Sequence, residues 1–154
     1  MIIIDFDRYT KGDTMKTLHF TIKGNPRPKK NNMSFIKTKS GKTALIQSAT
    51  YQDYKQLFLL QIKGKYKGQP ISEAVNIRCI YYRGDNRKTD LVNLQNGTLD
   101  LLVESRILED DNYKIVKSMD GSRVYVDKAD PRVEIYIEFL NDNNEKEETK
   151  QWNF

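Results

Sequence analysis

Four side chains in the middle of the chain have the types and spacing to hold a hard cation. Asp90 and Asn93 stand three apart, and Asp110 and Asp111 form an adjacent pair. Residues three apart share one side of a helical turn, so Asp90 and Asn93 would present oxygens together. Mg²⁺ prefers oxygen ligands and keeps several waters, so a few convergent carboxylates suit it. The expected arrangement is a helix that opens on Asp90, followed by a turn at Asp110–Asn112 that brings the acidic pair back to the same end. Asp100 lies about 15 Å further along such a helix and is a poor co-ligand for Asp90. These residues also have plainer uses. Asp is among the best N-caps and suits the positive end of a helix. Asp110-Asp111-Asn112 also suits a simple turn. The residues alone leave both uses open.

The elements that must position these groups are legible from periodicity. Leu18–Ile22 alternates as a strand. Gly24-Asn25-Pro26-Arg27-Pro28 ends it, because two prolines cannot sit inside a ladder. Ser34–Lys37 and Thr43–Gln47 flank Lys39-Ser40-Gly41-Lys42 as a basic hairpin. Ser48 suits an N-cap for a helix marked by Tyr51, Tyr54, Phe58 and Ile62, which ends near Gly64. Ala74–Tyr82 is a strand with Val75, Ile77, Cys79 and Tyr81 on one face. A second helix over about 90–105 buries Leu91, Leu94, Leu101 and Leu102, with Gly97 and Thr98 allowing close packing. Lys114–Lys117 and Ser122–Val126 are expected to pair as a hairpin through Asp120-Gly121, and Arg132–Leu140 is a last strand. The expected fold class is α+β: one small domain, a mixed β-sheet with two main helices packed on it.

The chain has 154 residues, and 38% of them are hydrophobic. That suffices for one modest core. Residues 1–14 are read as an N-terminal extension, 15–140 as the domain and 141–154 as a polar, disordered tail. No apolar run approaches the length of a membrane helix, and Met1-Ile2-Ile3-Ile4 is too short for a signal sequence. The expected setting is cytoplasmic. The single Cys79 allows no internal disulfide and is read as a core residue. His19 is given no role.

The net charge of +5 is unevenly spread. Thr14–Gln52 contains no Asp or Glu but holds Lys16, Lys23, Arg27, Lys29, Lys30, Lys37, Lys39 and Lys42, so all 21 acidic residues lie outside it. Cations that attract a polyanion, beside carboxylates that hold a metal, suit a phosphodiester-processing protein. The plainer use is a solvated basic loop.

The pattern as a whole resembles the RusA family of Holliday-junction resolvases. The resemblance rests on Asp90-Leu91-Val92-Asn93-Leu94-Gln95, Leu99-Asp100-Leu101-Leu102, and Ile107-Leu108-Glu109-Asp110-Asp111 with Val116. The family pattern is an Asp-x-Asp-Asn-Leu-x-Lys helix start, a mid-helix Asp, and an Asp-Asp pair before a strand. Pro26–Asn32 is similar to the family's Pro-rich, Asn-containing loop, and the order of elements matches from Leu18 to Leu140.

The resemblance implies a small homodimer, of a kind often encoded by phages or prophages. Such a protein cuts four-way DNA junctions symmetrically with Mg²⁺, or with Mn²⁺ in its place, in recombination and repair. By position, Asp90 and Asp111 match metal-binding residues, Asp110 is the neighbour of Asp111, and Asn93 matches the family Asn. Two positions depart from the pattern: Val92 replaces the second Asp, and Asn96 replaces the active-site Lys. Lys88 or Lys114 could supply charge from nearby. The candidates for the DNA backbone are Arg27, Lys29, Lys30, Lys37, Lys39, Lys42, Arg87 and Lys88. The departures leave a second reading open, a junction-binding protein of the same fold without catalysis. A third is an unrelated basic domain whose acids are caps and turns.

Overall fold

A computed structural model of the chain describes residues 16–29 and 33–140. The expected extension at 1–14, the expected tail at 141–154 and Lys30 lie outside the described residues.

Two helices pack on one face of a mixed five-stranded sheet. The elements in chain order are β1 (Thr17–Lys23), β2 (Met33–Lys37), β3 (Thr43–Gln47), α1 (Ala49–Ile62), β4 (Val75–Arg83), α2 (Leu91–Glu104), β5 (Val116–Ser118), β6 (Arg123–Val126) and β7 (Arg132–Phe139). The sheet runs β1-β7-β4-β5, with β6 also on β4, while β2 and β3 form a separate two-stranded ribbon. Alternation decides the buried face. Leu18, Phe20 and Ile22 of β1, Val133, Ile135, Ile137 and Phe139 of β7, and Val75, Ile77, Cys79 and Tyr81 of β4 are all buried. Tyr54, Phe58 and Ile62 of α1 and Leu94, Leu101 and Leu102 of α2 complete this core. Ser48 caps α1 as expected, its Oγ accepting the Tyr51 N–H at 3.3 Å. Burial pushes the Cys79 thiol up to about 12, as suits an inert core residue. Among the described residues, no helix is long and apolar enough to cross a membrane.

The opposite sheet face is covered by stacked side chains rather than by helices. His19 stacks on Tyr136 at 4.2 Å, and Arg78 lies 4.0 Å from the same ring. Arg132 sits 3.8 Å above Tyr82, which stacks on Tyr125. His19 thus takes part in a surface ladder of rings and guanidinium groups.

The expected hairpin through Asp120-Gly121 does not form. β5 and β6 both run parallel to β4, one after the other along the same edge. Buried Asn76 spans the break between them. Its Oδ1 accepts from Ser118 Oγ and from the Asp120 N–H, each at 2.7 Å, and its Nδ2 donates to the Asp120 carbonyl at 3.2 Å. Ser122 Oγ accepts the Cys79 N–H at 3.0 Å. These side chains satisfy the backbone where the ladder is interrupted, so the two short strands extend one edge. Gly121 turns the chain there with φ 81°, a left-handed conformation that glycine adopts freely.

Gly97 is buried in α2 against the 27–29 loop, but it leaves room for a methyl. A Cβ there would meet Lys29 N at 3.5 Å and Arg27 O at 3.7 Å, ordinary contact distances. Gly97→Ala is therefore expected to stabilise the fold by about 0.5–1 kcal/mol, as a rise in the urea midpoint.

Candidate functional site at the start of helix α2

β4 ends at Arg83, and its alternation continues inward, so this arginine points into the protein and is only 3% exposed. The guanidinium is held by two acceptors: Nη1 donates to the Pro26 carbonyl at 2.7 Å, and Nη2 to Asp85 Oδ1 at 3.0 Å. Asn25 closes the arrangement. Its Nδ2 donates to Asp85 Oδ2 at 2.9 Å, and its Oδ1 accepts the Gly84 N–H at 2.9 Å. The Arg87 N–H donates to Asp85 Oδ1 at 3.0 Å, and Arg27 lies 4.0 Å from Asp85. One carboxylate thus pins the proline-rich loop after β1 to the turn that leads into α2.

Partial burial pushes the Asp85 carboxyl up, but the Asn25 amide, the Arg83 guanidinium and the Arg87 N–H outweigh it and hold it at about 2. A depressed carboxyl stabilises the fold above its unfolded value, 3.8, and loses that contribution as pH falls toward about 2. Acid unfolding should therefore show a stability advantage of wild type over Asp85→Asn at neutral pH that shrinks between pH 4 and pH 2. A constant difference across that range would contradict it.

α2 begins beyond this turn. Asp90 occupies the N-cap position, yet its side chain makes no capping bond to the helix backbone. Asp90 Oδ2 instead accepts from Asn93 Nδ2 at 3.0 Å, and the residue is exposed. The expected pairing of Asp90 with Asn93 on one side of the first turn is present. The capping use of the Asp90 carboxylate is not. Val92 in the same turn is 62% exposed, and Asn96 is exposed as well.

The basic residues fall into three groups. Arg27 and Lys29 lie in the pinned loop, where Lys29 Nζ contacts Asp100 Oδ2 of α2 at 2.7 Å. This ion pair gives Asp100 a use other than metal binding. Arg87 and Lys88 are exposed in the turn before Asp90. Lys37, Lys39 and Lys42 are exposed on the β2–β3 ribbon, which follows the pinned loop.

The acidic pair lies elsewhere. α2 runs back along β4, and its 14 residues separate its two ends by about 20 Å. The chain after α2 is tied to the segment that enters β4. Ile71 N–H donates to the Ile107 carbonyl at 2.8 Å, Glu109 N–H to the Ile71 carbonyl at 2.9 Å, and Val75 N–H to the Ile115 carbonyl at 2.8 Å. Asp110 and Asp111 are thus held at the start of β4, whereas Asp90 follows its end. The expectation that a turn returns the pair to Asp90 is corrected by this path. Among the described residues, no three His, Cys, Asp or Glu side chains are grouped to hold a metal ion. Asp110 serves its own turn, accepting the Asp111 N–H at 2.8 Å and Asn112 Nδ2 at 2.7 Å. The Asn112 amide, followed by the Asp111 N–H, lowers its carboxyl below the usual value. Lys114, with its N–H bonded to Asn112 Oδ1, belongs to this far end and not to that of Asp90.

Asn25, Arg83 and Asp85 were not among the sequence candidates. A readable signal existed for Arg83, which shares the inward parity of Val75, Ile77, Cys79 and Tyr81. No curated protein matches the chain. The family profile described as Endodeoxyribonuclease RusA matches residues 21–138, from β1 almost to the end of β7. With the profile covering most of the chain, the chain belongs to the RusA endodeoxyribonuclease family.

Proposed function

We propose that the protein is a metal-dependent, structure-selective endonuclease that resolves four-way DNA junctions by phosphodiester hydrolysis. The observation that carries this reading is the Asp90 carboxylate: exposed, at the head of a helix it does not cap, and oriented by Asn93. A carboxylate spent on folding would bond the first-turn N–H groups instead.

The donors suit Mg²⁺, or Mn²⁺ in its place, because Mg²⁺ is commonly held by one or two carboxylates together with substrate phosphate. Asp90 would hold the ion, with the Asn93 carbonyl as a further oxygen. Such an ion neutralises phosphoryl charge and makes water a better nucleophile. Arg87 and Lys88, in the turn just before Asp90, would bind phosphate beside it. Arg27 and Lys29, in the loop packed against α2 at Gly97 and Asp100, would bind phosphate further along the helix, while Asp85 and Arg83 hold that loop and turn in place. Asp110 and Asp111 can serve Asp90 only from a second protomer. A two-fold homodimer would bring them there, and it suits a substrate with two equivalent strands to cut.

A second reading, junction binding without cleavage, is favoured by Val92 and Asn96. They place an exposed apolar group and a neutral amide where the family pattern has Asp and Lys. The purified chain, incubated with a synthetic four-way junction with and without Mg²⁺ or Mn²⁺, separates the two. Paired nicks in opposed strands that require the metal support the endonuclease. Binding without nicks selects the second reading, and neither binding nor nicking overturns both.

A further inference from the structure

The β2–β3 ribbon carries large apolar groups that the core does not use. Phe35 is 77% exposed, and Leu45, its direct partner in the register, is 53% exposed. Facing residues in an antiparallel pair put their side chains on one face, so Phe35 and Leu45 form a single apolar patch. Lys37, two residues on, shares that face, and Lys39 and Lys42 crown the turn. The turn is tightly closed. Thr38 N–H donates to the Lys42 carbonyl at 2.8 Å, Gly41 N–H to the Thr38 carbonyl at 2.9 Å, and Thr38 Oγ1 to the Lys42 carbonyl at 3.0 Å. Neither strand joins the main sheet. A two-stranded ribbon alone is only marginally stable in water, so an exposed Phe on it works against its solubility without helping the core.

We propose that this ribbon is a base-contacting element, with Phe35, backed by Leu45, stacking on bases that DNA exposes at a branch point. The inference rests on the DNA-junction reading above and assigns that site a further specificity residue. Charge selects the occupant. The ribbon lies within a stretch that contains no Asp or Glu, and its lysines border the apolar patch. A polyanion satisfies both features at once. A second copy docked on the same patch would instead bring its own lysines against these. The branch point is favoured over intact duplex because an aromatic ring stacks readily only on a base whose face is open. Inserting it into a continuous stack first requires that stack to be broken.

The test uses the full chain without divalent cations, so that DNA stays uncut, and compares a four-way junction with a duplex of the same sequence. Phe35→Ala should weaken junction binding about tenfold while changing duplex binding less than twofold. Replacing Lys37, Lys39 and Lys42 together with Ala should weaken both and flatten the salt dependence. Phe35→Trp, made with Trp152→Phe, should restore junction affinity, and its fluorescence should be quenched by junction and not by duplex. Wild-type junction binding that Phe35→Ala leaves unchanged, or reduces equally on duplex, overturns this inference and leaves the junction reading standing. A shift from dimer to monomer in Phe35→Ala, seen by sedimentation, overturns it in favour of a second copy. A wild-type chain that binds neither DNA overturns both.

Discussion

Asp90→Asn is expected to lower metal-dependent cleavage of a four-way junction at least about 100-fold while leaving stability unchanged. The two effects separate because Asn and Asp are nearly equal at an N-cap, and the native carboxylate makes no capping bond to lose. What changes is the carboxylate charge that the proposed metal site needs. Junction binding without metal should persist, since the lysines and arginines of the loop, the turn and the ribbon are untouched. The check is nicking of labelled junction over time, beside urea unfolding of the same sample. Unaltered cleavage would reduce Asp90 to a helix-boundary residue. Val92→Asp tests the same turn in the opposite direction. Val92 is 62% exposed, so a carboxylate there needs no burial, and it suits the positive end of α2. It is expected to raise cleavage about tenfold or more by restoring the family's second Asp.

Arg83→Ala is expected to destabilise the fold by about 2–4 kcal/mol and to weaken junction binding as well. Its guanidinium donates to the Pro26 carbonyl and to Asp85. Removal leaves the Pro26 carbonyl without this donor, and it leaves Asp85 without its inner partner. The cost stays below that of stranding a fully buried charge, because Asp85 retains about a third of its side-chain exposure together with the Asn25 and Arg87 donors. Loss of binding follows because the loop carrying Arg27 and Lys29 is anchored at Pro26. Arg83→Lys should fall between the two proteins, since one ammonium cannot reproduce the two-armed geometry. Urea midpoints and the salt dependence of junction binding read the two effects separately. An Arg83→Ala protein that unfolds at the wild-type midpoint would show that the loop is held by other contacts.

The order of elements was legible in the chain because each carries its own periodicity. Alternation marked β1, β4 and β7, and a 3.6-residue stripe marked α1 and α2. Asp90 was placed correctly at the head of α2, with Asn93 beside it, because both follow from a single helical turn. The β2–β3 ribbon was legible because it is closed by its own short turn. The family was legible too, since its pattern is nearly contiguous over α2 and the turn after it.

Tertiary structure alone decided what depends on partners distant in sequence. Asp120-Gly121 has the composition of a hairpin turn, yet β5 and β6 both lie parallel to β4, because Asn76 and Ser122 satisfy the backbone at the break. Asp110 and Asp111 follow α2 closely in sequence, yet hydrogen bonds to Ile71 and Val75 hold them far from Asp90. Asp85, in the short turn between β4 and α2, anchors the basic loop through Asn25, 60 residues away. Local pattern specifies which side of an element is buried. Which strand lies beside it, in which direction, and which end of a helix a later segment reaches are set by packing and by backbone hydrogen bonding across the whole fold. The sequence by itself thus determined the family, the elements and the place of Asp90 at the head of α2. The tertiary structure decided that the carboxylates expected to converge are separated by the length of α2.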